Sequence, residues 1–126
     1  MIKVITYGTF DTFHYGHFFL LERAKSLGNH LTVAISTDEF NLKEKGKTAK
    51  LKFSDRSRII KNLSFVDEIY SEKSWDQKVY DIKKLNIDVF TIGDDWEGKF
   101  DYLKAYCEVV YLSRTKDVSS TLIRGY

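Results

Sequence analysis

The sequence predicts an α/β fold: a doubly wound, Rossmann-like, five-stranded parallel sheet with helices on both faces. Three observations carry this. Five short runs rich in β-branched and apolar residues recur along the 126 residues. Segments with apolar residues at helical spacing lie between them. The first run, the helix after it and the second run fit within about thirty-five residues, the length of a right-handed βαβ crossover.

The elements follow in order. "IKVITYG" is apolar, β-branched and closed by Gly8, as a buried strand would be. The helix after it sets Leu20, Leu21, Ala24 and Leu27 on one face, with Gly28 as a C-terminal stop. "LTVAIS" is the second strand. The lysine-rich stretch 41–52, "NLKEKGKTAKLK", reads as a mobile surface loop. Ser54 is placed to cap a helix carrying Ile59, Ile60 and Leu63, and a strand follows near "VDEIY". Ser74 with Gln77 three residues on is a capping-box signature for a helix reaching Leu85. "DVFTIG" and "EVVYL" supply the last two strands, and a short final helix is expected over 119–124 with Ser119 at its cap. In sheets of this kind ligands bind beyond the carboxyl ends of the strands. The chemically loaded segments after Gly8, Ser36, Gly93 and Leu112 fall there.

Composition narrows the function classes. The length suits a single domain, 1–126, with a core of its own. A net charge of +2 and the lack of a dense Lys/Arg block argue against a nucleic-acid partner. No apolar run reaches membrane-spanning length and no signal-peptide pattern opens the chain. With one cysteine, Cys107, an intrachain disulfide framework is excluded, which fits a cytoplasmic protein.

The stretch "YGTFDTFHYGH" places two histidines three residues apart at the first strand-to-helix turn. As a zinc site, His14 and His17 lack further ligands at hand, since His30 and Cys107 both precede strands and so lie at the far end of the sheet. As surface or helix-capping residues they leave Gly8, Thr9 and Gly16 unexplained. Small residues at a helix N-terminus let backbone amides approach an anion, and imidazoles add N–H donors. The constellation fits phosphate.

At this point the sequence resembles a known family. "HYGH" matches the HxGH signature of the nucleotidyltransferase superfamily, and "RTKDVSST" (114–121) resembles its second signature. "STDEFN", "VDEI" and "DVFTIGDDWEGKFDYLK" resemble the bacterial glycerol-3-phosphate cytidylyltransferases, and the likeness runs over nearly the whole chain. Three positions depart from that pattern. Ser64 stands where an arginine is common, Asp117 stands in place of the signature glycine, and "SSTLIR" is closer to the adenylyltransferase form.

The resemblance implies transfer of a cytidylyl group from CTP to sn-glycerol 3-phosphate with Mg²⁺, yielding CDP-glycerol, a precursor for teichoic acids or capsular polymers, in a cytoplasmic homodimer. It implies that His14, His17, Lys47 and Arg114 are catalytic. Gly8, Thr9, Phe10, Asp94, Ser119, Ser120 and Thr121 would join them around the nucleotide. Asp38, Lys45, Lys47, Arg56 and Trp75 are candidates for the acceptor side, with Lys45 and Lys47 as alternatives for the loop lysine, and Asp11 is a candidate for Mg²⁺. Bland roles compete with several of these. Lysines in a polar loop are commonly solvated, Trp75 and Trp96 are of a kind that packs cores or dimer seams, and aspartates after Gly93 commonly cap turns. Three other functions share the fold: an adenylyltransferase, a cytidylyltransferase for another alcohol phosphate such as phosphoethanolamine, and a nucleotide-binding module without turnover.

Overall fold

The computed structural model describes residues 1–113, and the expected final helix lies outside them. Five strands, β1 (Lys3–Gly8), β2 (His30–Ser36), β3 (Glu68–Glu72), β4 (Val89–Gly93) and β5 (Glu108–Leu112), form one sheet in the order β3-β2-β1-β4-β5. Every pairing is parallel. β1 runs beside β2 from Lys3↔His30 to Gly8↔Ile35, so the two strands end together. The strand order reverses between β1 and β4, and a crevice opens at that switch point.

Alternation along β1 divides the core between the two faces. Val4 joins Leu21 and Ala24 of α1 (Tyr15–Lys25) and Ile60 of α3 (Phe53–Lys61) on one face. Ile5 and Tyr7 join Ile82 of α4 (Lys78–Lys84), Phe90, Phe100 and Leu103 on the other. The residues buried on β2 run without a break from Leu31 to Ser36, as befits a strand covered on both sides.

Four local expectations are corrected. Part of the predicted loop is helix: α2 spans Asp38–Lys45, capped by Thr37, whose Oγ1 accepts the Phe40 N–H at 3.1 Å. It ends at Gly46 in the left-handed region, φ 66°. Of the lysines that suggested a solvated loop, Lys43 is exposed on the short helix, Lys45 at its end is half-buried, and the rest lie on the strap 47–52 beyond it. Ser54 is not a cap, because α3 begins one residue earlier, at Phe53. Its first free amide is taken instead by Asp38, whose oxygens accept the Phe53 N–H at 3.0 and 3.2 Å. α3 stops at Lys61, short of Leu63. Gly28 is not the helix stop either, since α1 ends at Lys25 with Ser26 as its C-cap. Gly28 is needed for close approach, because a Cβ there would stand 2.5 Å from the Ile2 carbonyl oxygen. At residues 74–77 the expected hydrogen bond is present: Gln77 Oε1 accepts the Ser74 N–H at 3.0 Å, closing a 3₁₀ turn (Trp75–Gln77) that leads into α4.

Candidate functional site

The loop between β1 and α1 is held in a conformation that side chains resist. Phe10 (φ 53°) and Thr12 (φ 44°) both adopt the left-handed region, a costly choice for an aromatic residue. Contacts from three directions hold it. The Phe10 ring is buried against the core. Asp11 accepts the backbone N–H groups of Lys50 (2.8 Å) and Leu51 (3.1 Å). Arg56 donates to the Thr9 carbonyl at 3.0 Å. These bonds fasten the strap 47–52 to the histidine loop.

The histidines themselves build the start of α1. His14 Nδ1 accepts the Gly16 N–H at 3.0 Å, and His17 Nδ1 accepts the His14 N–H at 3.3 Å. An Nδ1 that accepts carries no proton, so in each neutral imidazole the proton sits on Nε2. Nδ1 thus closes the helix, and Nε2–H is left to donate. Burial, then the proximity of His14, pushes the His17 pKa down to about 4, which keeps that ring neutral near pH 7. Phe10 meets the His17 ring edge-on, with centroids 5.5 Å apart.

Beside this loop lies a cleft of about 240 Å³ at the carboxyl ends of β1 and β4. Gly8 and Thr9 form its boundary with the histidine loop. Tyr7, Lys45, Glu72, Trp75, Lys78, Trp96 and Phe100 are among the other residues that line it. Lys45 Nζ donates to Thr9 Oγ1 at 3.0 Å, and so does Ser36 Oγ, also at 3.0 Å. With two donors on its oxygen, the Thr9 hydroxyl has its own hydrogen left to give. Desolvation is the main cause that lowers the Lys45 pKa, with Glu72 opposing it. The Lys45 ammonium also rests 5.6 Å from the Trp75 ring centre.

Among the residues expected from sequence, the structure brings Gly8, Thr9, Phe10, His14, His17, Lys45 and Trp75 together. Asp94 follows β4, half-buried, at the same end of the sheet. Lys47 is exposed on the strap just past Gly46, with its backbone N–H bonded to the Asn41 carbonyl. Three candidates are engaged by the chain itself instead. Arg56 is fully buried, and its guanidinium serves the carbonyls of Leu51 (2.9 Å), Thr9 (3.0 Å) and Ser36 (2.8 Å) and the carboxylate of Asp38 (2.8 Å). Four bonds to the chain leave it little capacity for a phosphate, so it acts as an organiser. Asp38 is the partner of Arg56 and the cap of α3, and its amide bond from Phe53 is the main cause lowering its pKa. Asp11 has the strap to hold, and the Lys50 amide is the first cause lowering its pKa. Among the described residues no group of three or more His, Cys, Asp or Glu is placed to hold a metal ion. Both Asp11 carboxylate oxygens accept backbone amides, those of Lys50 and Leu51. Arg114, Ser119, Ser120 and Thr121 lie outside the described residues.

Sequence reasoning missed Glu72, Lys78 and Trp96 as cleft residues. Lys78 follows the capping box and looks like an ordinary helix-surface lysine. Its burial depends on rings from β1, from the 3₁₀ turn and from the segment before β5, which no local pattern records. Ser64, where an arginine is common, is exposed ahead of β3, at the end of the sheet away from the cleft. Among the described residues no helix is long and apolar enough to cross a membrane.

Comparison with known proteins agrees with this geometry. A family model described as cytidylyltransferase-like matches residues 5–125. The glycerol-3-phosphate cytidylyltransferases of Bacillus subtilis and Bacillus spizizenii are 60% and 57% identical to this chain, each over 98% of it and 95% of their own length. The crystal structure of a lipopolysaccharide core biosynthesis protein from Thermoplasma volcanium superposes with a TM-score of 0.74. It is 26% identical and covers 90% of this chain and 98% of its own.

Proposed function

From the premise that the chain belongs to the cytidylyltransferase-like family, we propose that it is a glycerol-3-phosphate cytidylyltransferase. It joins the cytidylyl group of CTP to sn-glycerol 3-phosphate and releases diphosphate. The observation that carries this reading is the meeting of two anion-ready surfaces at Thr9. On one side are the α1 N-terminus and the Nε2–H donors of His14 and His17. On the other is the cleft with Lys45. Near-full-length similarity to the two Bacillus enzymes supports the choice of substrates.

In this reading the triphosphate lies over the histidine loop and the acceptor phosphate enters the cleft beside Lys45. A phosphate monoester has a second pKa of about 6, so the acceptor arrives largely as a dianion and needs no general base. Its oxygen attacks the α-phosphorus, the bond from that phosphorus to the bridging oxygen breaks, and diphosphate leaves with the electron pair. The chain's work is alignment and electrostatic stabilisation. His14 and His17 donate to oxygens as charge moves toward the leaving group, and Thr9 donates where the two substrates meet. Asp94 faces the nucleoside. Lys47, on the strap, reaches the triphosphate, and by resemblance Arg114, Ser119, Ser120 and Thr121 are further contacts for it. A Mg²⁺ ion bound with the triphosphate would lessen the charge that the protein must neutralise. By the same resemblance we infer a cytoplasmic homodimer whose product feeds teichoic-acid or capsular polymer synthesis.

The test is diphosphate release by the purified protein with Mg²⁺, crossing CTP and ATP against glycerol 3-phosphate and phosphoethanolamine. Turnover is expected only with CTP and glycerol 3-phosphate. Turnover with another pair keeps the chemistry and replaces the substrates. Silence in every pair, from folded protein that binds CTP, makes this a binding module.

A further inference from the structure

Lys78 opens α4, yet its ammonium ends inside the protein. Its Nζ lies 4.7 Å from the centre of the Tyr7 ring, 5.4 Å from that of Trp75 and 5.2 Å from that of Phe100. The Glu72 Oε2 oxygen completes the enclosure at 2.9 Å. Lys78 and Glu72 are each 2% exposed. Aromatic faces and a carboxylate around a cation form the arrangement by which proteins recognise a ligand's ammonium. Here the cation is the chain's own.

All five residues also line the acceptor cleft, so the box is part of the wall that a substrate tail must meet. Stability alone is a poor reason for it, because apolar residues of similar volume commonly replace a buried ion pair at no cost. Specificity is a better one. We propose that Lys78 is a specificity-determining residue: it occupies an ammonium-recognising box from within and so closes the cleft to alcohol phosphates with cationic tails. The proposal rests on the cleft being the acceptor site.

Two physical effects follow. A tail ammonium entering the cleft finds the three rings occupied and the Glu72 charge already paired, and meets the like charges of Lys78 and Lys45. An uncharged, hydroxylated tail finds a usable partner. A carboxylate offers about four acceptor positions, and among the described residues the Glu72 carboxylate receives one hydrogen bond, from Lys78. The same pair thus rejects an aminoalcohol tail and accepts hydrogen bonds from a polyol.

The experiment empties the box. Lys78→Ala vacates the rings and leaves Glu72 facing them. Choline, which carries the quaternary cation without a phosphate, is titrated into wild type and variant while the fluorescence of Trp75 and Trp96 is followed, with sodium chloride as the ionic-strength control. Choline is expected to bind the variant at least about tenfold more tightly than wild type. The double variant Glu72→Gln/Lys78→Ala removes the orphaned charge, so it covers the case in which the single variant does not fold. It is expected to bind choline more weakly than Lys78→Ala and more tightly than wild type. Equal choline affinity in wild type and in whichever variants fold overturns the proposal. Wild-type turnover of CTP with glycerol 3-phosphate is measured in parallel, and its absence overturns the acceptor reading instead.

Discussion

The rings of His14 and His17 stack with centroids 3.8 Å apart and planes 25° apart. Two protonated imidazoles would repel strongly at that distance, and His17 is the ring held neutral near pH 7. Their Nδ1 atoms are occupied by backbone amides, and in the proposed reaction the Nε2–H groups donate. Replacing His17 by alanine is expected to lower kcat by roughly a hundredfold, as for loss of one preorganised transition-state donor. Steady-state kinetics on the folded variant, checked by circular dichroism, tests this. A fall of under threefold removes His17 from the chemistry.

The same ring leaves a mark on stability. Its folded pKa of about 4 lies below the ordinary histidine value of about 6.5. Between these values the unfolded chain binds the proton and the folded chain does not. Stability therefore rises with pH through that window and is lost as pH falls from 6.5 toward 4. Asp11 and Asp38, held below their usual value, add stability that is lost only at more acidic pH. Urea unfolding at several pH values is expected to show a flatter curve between pH 4 and 6.5 for His17→Asn, with the steeper acid limb kept.

Lys45 and Lys47 separate by substrate. Lys45→Ala is expected to raise KM for the acceptor about tenfold or more, since its ammonium is half-buried in the cleft against Thr9. Lys47→Ala is expected to raise KM mainly for CTP. Initial rates with each substrate varied in turn distinguish the two, and an exchange of the two phenotypes would reverse the assignments.

Arg56 organises rather than binds. Arg56→Ala leaves the Asp38 charge and three carbonyls without their partner, a loss of about 3 kcal/mol or more. Arg56→Lys recovers little, because an ammonium cannot reproduce the planar fork. Denaturant titration measures both. A variant as stable as wild type but weak in CTP binding would return Arg56 to the phosphates.

The two close-packed glycines differ in what they control. A Cβ on Gly8 would stand 2.7 Å from the Phe10 ring, which in turn meets His17. Gly8→Ala is therefore expected to lower kcat. A Cβ on Gly28 would strike backbone, far from the cleft, so Gly28→Ala is expected to cost about 1–3 kcal/mol of stability with kcat nearly unchanged. Parallel kinetics and thermal melts check the contrast.

Much of this protein was determined by its sequence alone. The parallel sheet follows from local patterns, since β-branched runs and helical periodicity arise from residues that are neighbours in the chain. The histidine loop was legible for the same reason: Gly8, Thr9, His14 and His17 sit within ten residues. α2 is marked too, by Thr37 and Gly46 at its ends, but the lysines around Gly46 give the same stretch the pattern of a solvated loop. What only the tertiary structure decided is where long side chains end. Arg56 and Lys78 both look like exposed helix residues in sequence. One turns in to hold carbonyls from three segments and the other enters an aromatic box, because partners distant in sequence compensate the desolvation of each charge. Such compensation comes from contacts that only the folded chain brings together, so no local pattern announces it.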